Sequence, residues 1–580
     1  MTVLPPGDVR PGSRPLLARF GGAPSLLRAL AWVPSLYLAE GIPFNVIMGG
    51  TTARMYKALG YTDARITVAI GAIGIAWSLK PLWAAFLEMY RTKKFFVIAM
   101  EIAFTALLVA VAAAVPLPGF FRISIGLFWV AAFASSTQDI CADGIYLTAL
   151  DPRDQAALAG VQGAFWLVGK VLAAGVIIAA LDRMRLAWHW SDRAMWQAVL
   201  LVCAAIMAIL AGYHLFRLPR GGISDRPSSA RAVMRDFLET GASFFHKRCF
   251  WGMMAFVFLY RLGEGLILIE GQLFLQSSTA HGGLGLTPGY VSEIYAVWGT
   301  GASLLGGLLS GVFISRVGLW RCLGFLGLCL NVPHVTYIVL SQIAAPGHGA
   351  HYATIATLVS IEQFGYGFGF VGNMVYMMQQ IAPGRSTMTH YAFATALMNL
   401  VLVPTNMISG PLAEWLGFSA FFLVVIFASV PSIWAAFKAP FPHPAGEAPG
   451  IDPEAPRLTA DDPTRLEPEQ RAIQLSAGRA SMFAMLNALT ILVLDTNILG
   501  TLEGKARGTG RFQFALLCLS FFLKIALSAA ALRRARESLA EARRCGETVY
   551  SGNARGARIA TYVCAVVSCF ILAFGAYRAF

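Results

Sequence analysis

The chain has 580 residues, of which 57% are hydrophobic and only 13% charged, with a mean hydropathy of +0.62. Soluble domains carry charge on roughly a quarter of their residues, so this balance excludes an ordinary soluble fold. The formal net charge of +14 is spread over short loops between apolar runs and not gathered on one polar domain, which sets nucleic acid aside as a partner.

A helical crossing of a bilayer core about 30 Å thick takes roughly 20 apolar residues, and the chain supplies such runs repeatedly. Residues 1–28 form a polar N-terminal segment with Arg10, Arg14, Arg19 and Arg28. No short apolar stretch with a small-residue cleavage site follows, so the first run reads as a retained span and not a signal peptide. Six spans are predicted at 29–55, 64–88, 95–115, 122–149, 155–180 and 194–216, making a first bundle over 29–216. A basic central loop, 217–249, leads to six more at 250–276, 288–314, 322–342, 351–382, 387–412 and 418–437, a second bundle over 250–437. A Pro-rich linker, 438–479, then precedes a region 480–580 with three further spans near 480–499, 512–532 and 558–579. Lys and Arg concentrate in the N-terminal segment, around 91–94 and in the central loop, which places these and the N-terminus in the cytoplasm of a multi-pass inner-membrane protein.

Two sets of six spans about a basic loop suggest an internal duplication. After the eighth span, Gly311-Val312-Phe313-Ile314-Ser315-Arg316-Val317-Gly318 resembles the loop motif G-x-x-x-D-R-x-G of the major facilitator superfamily, with Ser315 in place of Asp. Glu88 and Arg91, with Lys93 and Lys94, form a looser copy six spans earlier. Such a loop is expected to pin two helix ends through charge and dipole contacts and so to govern conformation. The fold this implies is all-α, two six-helix bundles plus about three extra C-terminal helices.

Four further stretches resemble the AmpG-type branch, the muropeptide permeases. They are Gly41-Ile42-Pro43-Phe44, Lys80-Pro81-Leu82-Trp83, Ser135-Ser136-Thr137-Gln138-Asp139-Ile140 with Asp143, and His390 to Thr395 continuing to Gly410-Pro411. The resemblance covers about residues 30–437. Where relatives carry an arginine in the fifth span, this chain has Leu167 and, three residues later, Lys170.

Ionisable residues inside spans cost several kcal/mol each and are functional candidates by default. Asp139, Asp143, Glu40 and Glu264 are the candidates for proton coupling. Asp139 and Asp143, four apart, share one helix face; they either couple protons or contact the substrate directly, or form a structural ion pair with Lys80 or Lys170. Substrate-binding candidates are Lys80, Trp83, Gln138, Tyr146, Trp166, Lys170, Arg261, Glu362, Asn373 and Asn399, since amides, aromatics and charges suit a polar ligand with sugar rings. Arg261 and Glu264, three apart, can equally pair with each other. Glu270 is a further ionisable residue of the seventh span.

Some resemblances are superficial. Gly367-x-Gly369-x-x-Gly372 matches a dinucleotide fingerprint, but it stands inside an apolar span with no strand before it, where small residues let helices approach. Nine cysteines without a C-x-x-C pair, and no H-E-x-x-H, give no metal site. No phosphate-binding loop motif occurs. No cofactor is expected, and no constellation for catalysis.

The resulting expectation is a secondary active importer working by alternating access with protons as coupling ion. The resemblance implies a muropeptide, an N-acetylglucosamine-anhydromuramyl peptide, as solute. Another polar or amphiphilic solute (an amino sugar, siderophore or CoA ester) is the alternative, with a membrane-embedded enzyme or a sensor as rival classes. The expected partners are that small molecule, protons and membrane lipid.

Overall fold

The computed structural model describes residues 28–80, 83, 87, 92–150, 152–220, 239, 241–344, 351–383, 387–443, 466–496, 498 and 509–579. The expectations placed on the N-terminal segment, on Glu88 and Arg91, and on most of the central loop and Pro-rich linker lie outside these residues. The described residues are overwhelmingly helical, with no strand among them. Helices are what long apolar runs must form in lipid, because only there can every backbone N–H and C=O be satisfied within the segment.

The first bundle contains α1 (Val33–Ile47), α2 (Asp63–Ile73, continued by Ile75–Ser78), α3 (Lys93–Ala114), α4 (Phe120–Ala149), α5 and α6 (Asp192–Arg217). Helix α5 runs from Pro152–Val171 through a π turn, Leu172–Val176, into Ile177–Trp188. The second bundle contains α7 (Phe250–Gln276), α8 (Pro288–Val317), α9 (Leu319–Ile343), α10 (Tyr352–Tyr376), α11 (Thr387–Leu416) and α12 (Phe418–Lys438). Three more follow: α13 (Pro468–Asp495), α14 (Thr509–Cys545) and α15 (Val549–Ala579). Thirteen helices among the described residues are long and apolar enough to cross a membrane.

Local chemistry sets the helix ends. Thr62, Thr92, Ser191 and Thr287 each cap a helix start by accepting from the backbone N–H three residues on, which satisfies an otherwise orphaned donor. Gly318 (φ 85°) alone joins α8 to α9 and Gly417 (φ 75°) alone joins α11 to α12. A single-residue reversal at positive φ is open to glycine and strained for other residues.

Helix pairing repeats six helices later. Contacts of α1 with α5, α3 with α4 and α3 with α6 recur as α7 with α11, α9 with α10 and α9 with α12. The two bundles meet along two equivalent seams, α2 against α11 and α5 against α8. The glycine run of α10 is packing surface. A Cβ on Gly367 would strike the Ser303 backbone of α8, and one on Gly369 would lie 2.6 Å from Leu326 O of α9.

The three added helices pack on one another and dock on the core at α7 and α11. Trp251 Nε1 donates to Ser481 Oγ at 3.1 Å, and Asn553 bridges the Phe250 N–H and the Lys247 carbonyl. Leu489, Leu492 and Val493 of α13 enter an apolar cluster formed by Ala72, Ile75, Leu400, Val403 and Met407, so α13 fills the α2–α11 seam. Within the added helices Lys524 is buried against Asp495, which also accepts from Ser520 at 2.6 Å.

The boundaries here differ from the sequence expectation. Helix α13 starts at Pro468, inside the stretch read as linker, because proline at a first-turn position suits a helix start. Helix α14 continues to Cys545 and carries Arg533, Arg534 and Arg536 beyond the apolar run; Glu537 pairs with the first two.

His246, in the turn before α7, lies under Gly478 of α13, and its carbonyl accepts from Gln474 at 3.2 Å. Burial, reinforced by Arg479, pushes its imidazole from 6.5 down to about 4. Between those values the undocked form holds the extra proton, so docking is at full strength above about pH 6.5 and weakens as pH falls. A distance-label pair on α12 and α15 should therefore broaden and lengthen between pH 7 and pH 5, and His246→Gln should show no such change.

Candidate functional site

The two bundles touch at one end, where the connections 48–62 (with the short helix Thr51–Ala58), 189–191, 277–287 and 417 lie. There Gly410 N donates to Thr67 Oγ1 at 3.1 Å and Ala64 N to Glu414 Oε1 at 2.8 Å across the α2–α11 seam. Across the α5–α8 seam Gly289 N donates to Asp182 Oδ2 at 3.0 Å, and Arg183 pairs with Glu293 at 2.8 Å. Gln276 Nε2 reaches the Arg54 carbonyl at 3.1 Å. This is the closed end. Toward the other end Asp143, Thr148 and Ala149 of α4 are exposed, and the bonds between the bundles named above all lie at the closed end.

In the first bundle, Lys80, just past α2, pairs with Asp139 of α4 at 2.5 Å. One turn along α4, Asp143 accepts from the Tyr37 hydroxyl of α1 at 2.9 Å, and the Tyr37 and Tyr146 rings meet edge to face at 5.8 Å. Glu40, one turn from Tyr37, faces Lys80, Asp139 and Asp143, and its Oε2 is buried without a hydrogen-bond partner. Three carboxylates thus surround one lysine. Of the two cations that could have joined Asp139, the structure brings Lys80 and leaves Lys170 on α5. Trp83 Nε1 donates to Thr137 Oγ1 at 3.2 Å. Trp166 stacks obliquely on Phe44 at 5.6 Å, where α1 and α5 close to 3.0 Å between Gly41 Cα and a Cβ built on Gly169.

In the second bundle Arg261 forms a buried pair with Glu264, Nε to Oε2 at 2.7 Å, and its guanidinium lies 4.9 Å over the Phe370 ring. Arg261 interrupts α7, which breaks between Leu259 and Leu262. Glu362 of α10 accepts from Gln363 at 2.7 Å and has His334 Nε2 at 3.9 Å. Asn373 is fully buried with both amide atoms unpartnered, and Asn399 is half-buried. In the loop motif Gly311 and Arg316 are exposed and Ser315, where the motif has Asp, bonds back to the Val312 carbonyl at 2.8 Å. No ion pair of Arg316 occurs among the described residues, so the expected charge pinning is not seen there.

Sequence reasoning missed a buried hub. Glu101 of α3 holds His214 Nδ1 of α6 at 2.8 Å, and Glu101 Oε1 accepts from Gln138 Nε2 of α4 at 3.1 Å. His214 Nε2 reaches Ser35 of α1 at 3.1 Å. Gln138, expected to meet a ligand, is thereby turned into the bundle with 1% exposure. Glu101 stands alone in an apolar run, and its presence at mid-span is the signal that could have found it.

This arrangement of two duplicated bundles about a polar, one-ended cavity is the major facilitator fold. The D-xylose-proton symporter has it at a TM-score of 0.54 and 13% identity, covering 72% of this chain and 98% of that one. The nucleoside transporter NupG has it at 0.53 and 14%, covering 71% and 98%. No protein-family model matches the chain. The chain is 24% identical to the anhydromuropeptide permease of Escherichia coli K12 over 411 residues, 69% of this chain and 77% of that protein. It is 21% identical to a protein named as transporter AmpG 4 from Rickettsia conorii, over 69% of this chain and 93% of the other. The chain is a membrane transporter of the major facilitator type and not an enzyme, and the AmpG-type resemblance read from its motifs extends over the core.

Glu101 supplies acceptors to two buried donors, and an unsatisfied buried polar group costs about 1–3 kcal/mol. Glu101→Ala should lower stability by on the order of 3 kcal/mol, read as a fall in the detergent-solubilised melting midpoint. Glu101→Gln, which keeps one carbonyl acceptor, should fall by less.

Proposed function

We propose that the chain imports a solute across the bacterial inner membrane by alternating access, coupled to protons, and that the solute is a muropeptide of the N-acetylglucosamine-anhydromuramyl class. The residues 29–437 form the transport unit in this reading. The N-terminus is cytoplasmic, the closed end faces the periplasm, and the conformation is open to the cytoplasm. One observation carries the coupling: Asp139, Asp143 and Glu40 gather about a single lysine in a cavity reached from one end. A carboxylate surplus of this kind is relieved by binding a proton. A coupling ion can bias an equilibrium only through its different affinity for the two states, and closure of the cavity over these groups supplies such a difference. The similarity to the anhydromuropeptide permease supports the solute class, and the half-buried Trp166 offers a flat surface to a sugar ring. Fold alone does not fix a substrate.

Proteoliposomes with an imposed proton gradient and labelled N-acetylglucosaminyl-anhydromuramyl tripeptide test both parts. Wild type should accumulate the label. Of Asp139→Asn and Asp143→Asn, at least one should lose accumulation and still exchange labelled for unlabelled solute. Normal accumulation by both folded variants would move the proton site to Glu40 or Glu264. Stabilisation by an amino sugar, siderophore or CoA ester in place of the muropeptide would reassign the solute.

A further inference from the structure

Beneath the closed end the charge balance is the reverse of that around Asp139. Arg54, on the short helix Thr51–Ala58, has 0% exposure. Its Nε donates to the Gly50 carbonyl at 3.1 Å and its Nη2 to the Ala174 carbonyl of α5 at 2.9 Å, while Nη1 is buried without an acceptor. No ion pair of Arg54 occurs among the described residues; the ionisable side chains acting on it include the Tyr295 phenol of α8 and Lys170 of α5.

Lys170 lies four residues before Ala174, about one helical turn away. It is half-buried, and no hydrogen bond or ion pair of it occurs among the described residues. The charged groups acting on it are Arg54 and, from the opposite bundle, Glu362. That carboxylate is already engaged, accepting from Gln363 at 2.7 Å with His334 at 3.9 Å. A hydrogen bond from a neutral amide leaves the charge of Glu362 in place, so one negative charge, acting on Lys170, stands against two cations. Burying a charge without its counter-charge costs several kcal/mol, and the described residues of the surrounding helices supply no other anion to these two.

We infer that Lys170 and Arg54 form an anion subsite at the closed end of the cavity, and that a carboxylate of the solute supplies the missing counter-charge. Lys170 makes the direct contact. Arg54, behind the Ala174 carbonyl, is a positioning residue that adds its field and holds α5 in place. The inference rests on the reading that a solute occupies this cavity, and it narrows that solute to one bearing a free carboxylate, which in a muropeptide belongs to the peptide because the lactyl carboxyl is taken up in the amide bond.

Two measurements on the full chain in detergent decide it. The first needs no solute. If Lys170 is uncompensated, Lys170→Met should raise the melting midpoint by about 2–4 °C, as expected where a functional group is held at a cost to stability. A midpoint at or below wild type means that the lysine was paired, and overturns the subsite. The second compares N-acetylglucosaminyl-anhydromuramyl tripeptide with the same compound methyl-esterified at its peptide carboxylates, which removes their negative charge. Wild type should bind the acid at least about tenfold more tightly, a difference of roughly 1.4 kcal/mol. Lys170→Arg should keep that preference, and Lys170→Met should lose it by weakening the acid alone. Equal binding of acid and ester by wild type, or a preference that survives Lys170→Met, overturns the subsite. If neither compound binds wild type, the muropeptide reading fails and the stability measurement alone decides the subsite.

Discussion

In a hydrocarbon slab an ionic side chain has to find its counter-charge inside the protein, because no water is there to supply it. That requirement sorts the buried charges of this chain into two groups. Arg261 with Glu264 and Asp495 with Lys524 are matched pairs, closed on themselves and buried on both sides, and Glu101 is held by hydrogen bonds with His214 and Gln138. They tie helices together or stiffen one helix. The unmatched charges gather along the cavity. Carboxylates exceed cations around Lys80 and Asp139, and cations exceed engaged carboxylates around Arg54 and Lys170. What the fold leaves uncompensated is what a mobile proton or a solute can complete.

The duplication gives this cavity its walls. Because α2 against α11 and α5 against α8 are the same contact in two copies, both seams can open or shut together about one axis. Glycines let the walls come close: Gly175 of α5 meets Ala296 of α8, with 2.7 Å between a built Cβ and the alanine Cβ. The hub about Glu101 has a counterpart in the second bundle, where α9 and α12 are joined through Asn331 with Ser432 and His334 with Ser429. Each bundle is thus held internally by polar bonds between its third and sixth helices. The bundles meet mainly through packing and through bonds gathered at one end. Rigid halves with a lighter joint are what rocking requires.

Most of the fold was legible from hydropathy alone. The run 95–115 became Lys93–Ala114, and 418–437 became Phe418–Lys438. Hydropathy failed where a helix leaves the apolar layer: α13 begins with polar turns and α14 ends in an arginine-rich extension, neither of which an apolar-run criterion can see. For the site, the four-residue spacing of Asp139 and Asp143 placed both on one face of α4. It could not choose between Lys80 and Lys170 as partner, which depends on how α2 and α5 pack. Gln138 lay next to Asp139 in the motif, but adjacent helical residues point about 100° apart, and it bonds Glu101 behind the cavity wall. Arg54 carried the same signal as the other ionisable residues of a span, but it stands at the very end of the run 29–55, where a charge is readily taken to face water.

The added helices make the molecule lopsided. In the duplicated core the two seams are interchangeable, yet α13 packs Leu489, Leu492 and Val493 along α2 and α11, while α5 and α8 meet with no added helix between them. Lipid tails and neighbouring proteins therefore encounter two different flanks, one armoured and one bare. A half-turn about the membrane normal no longer returns the same surface.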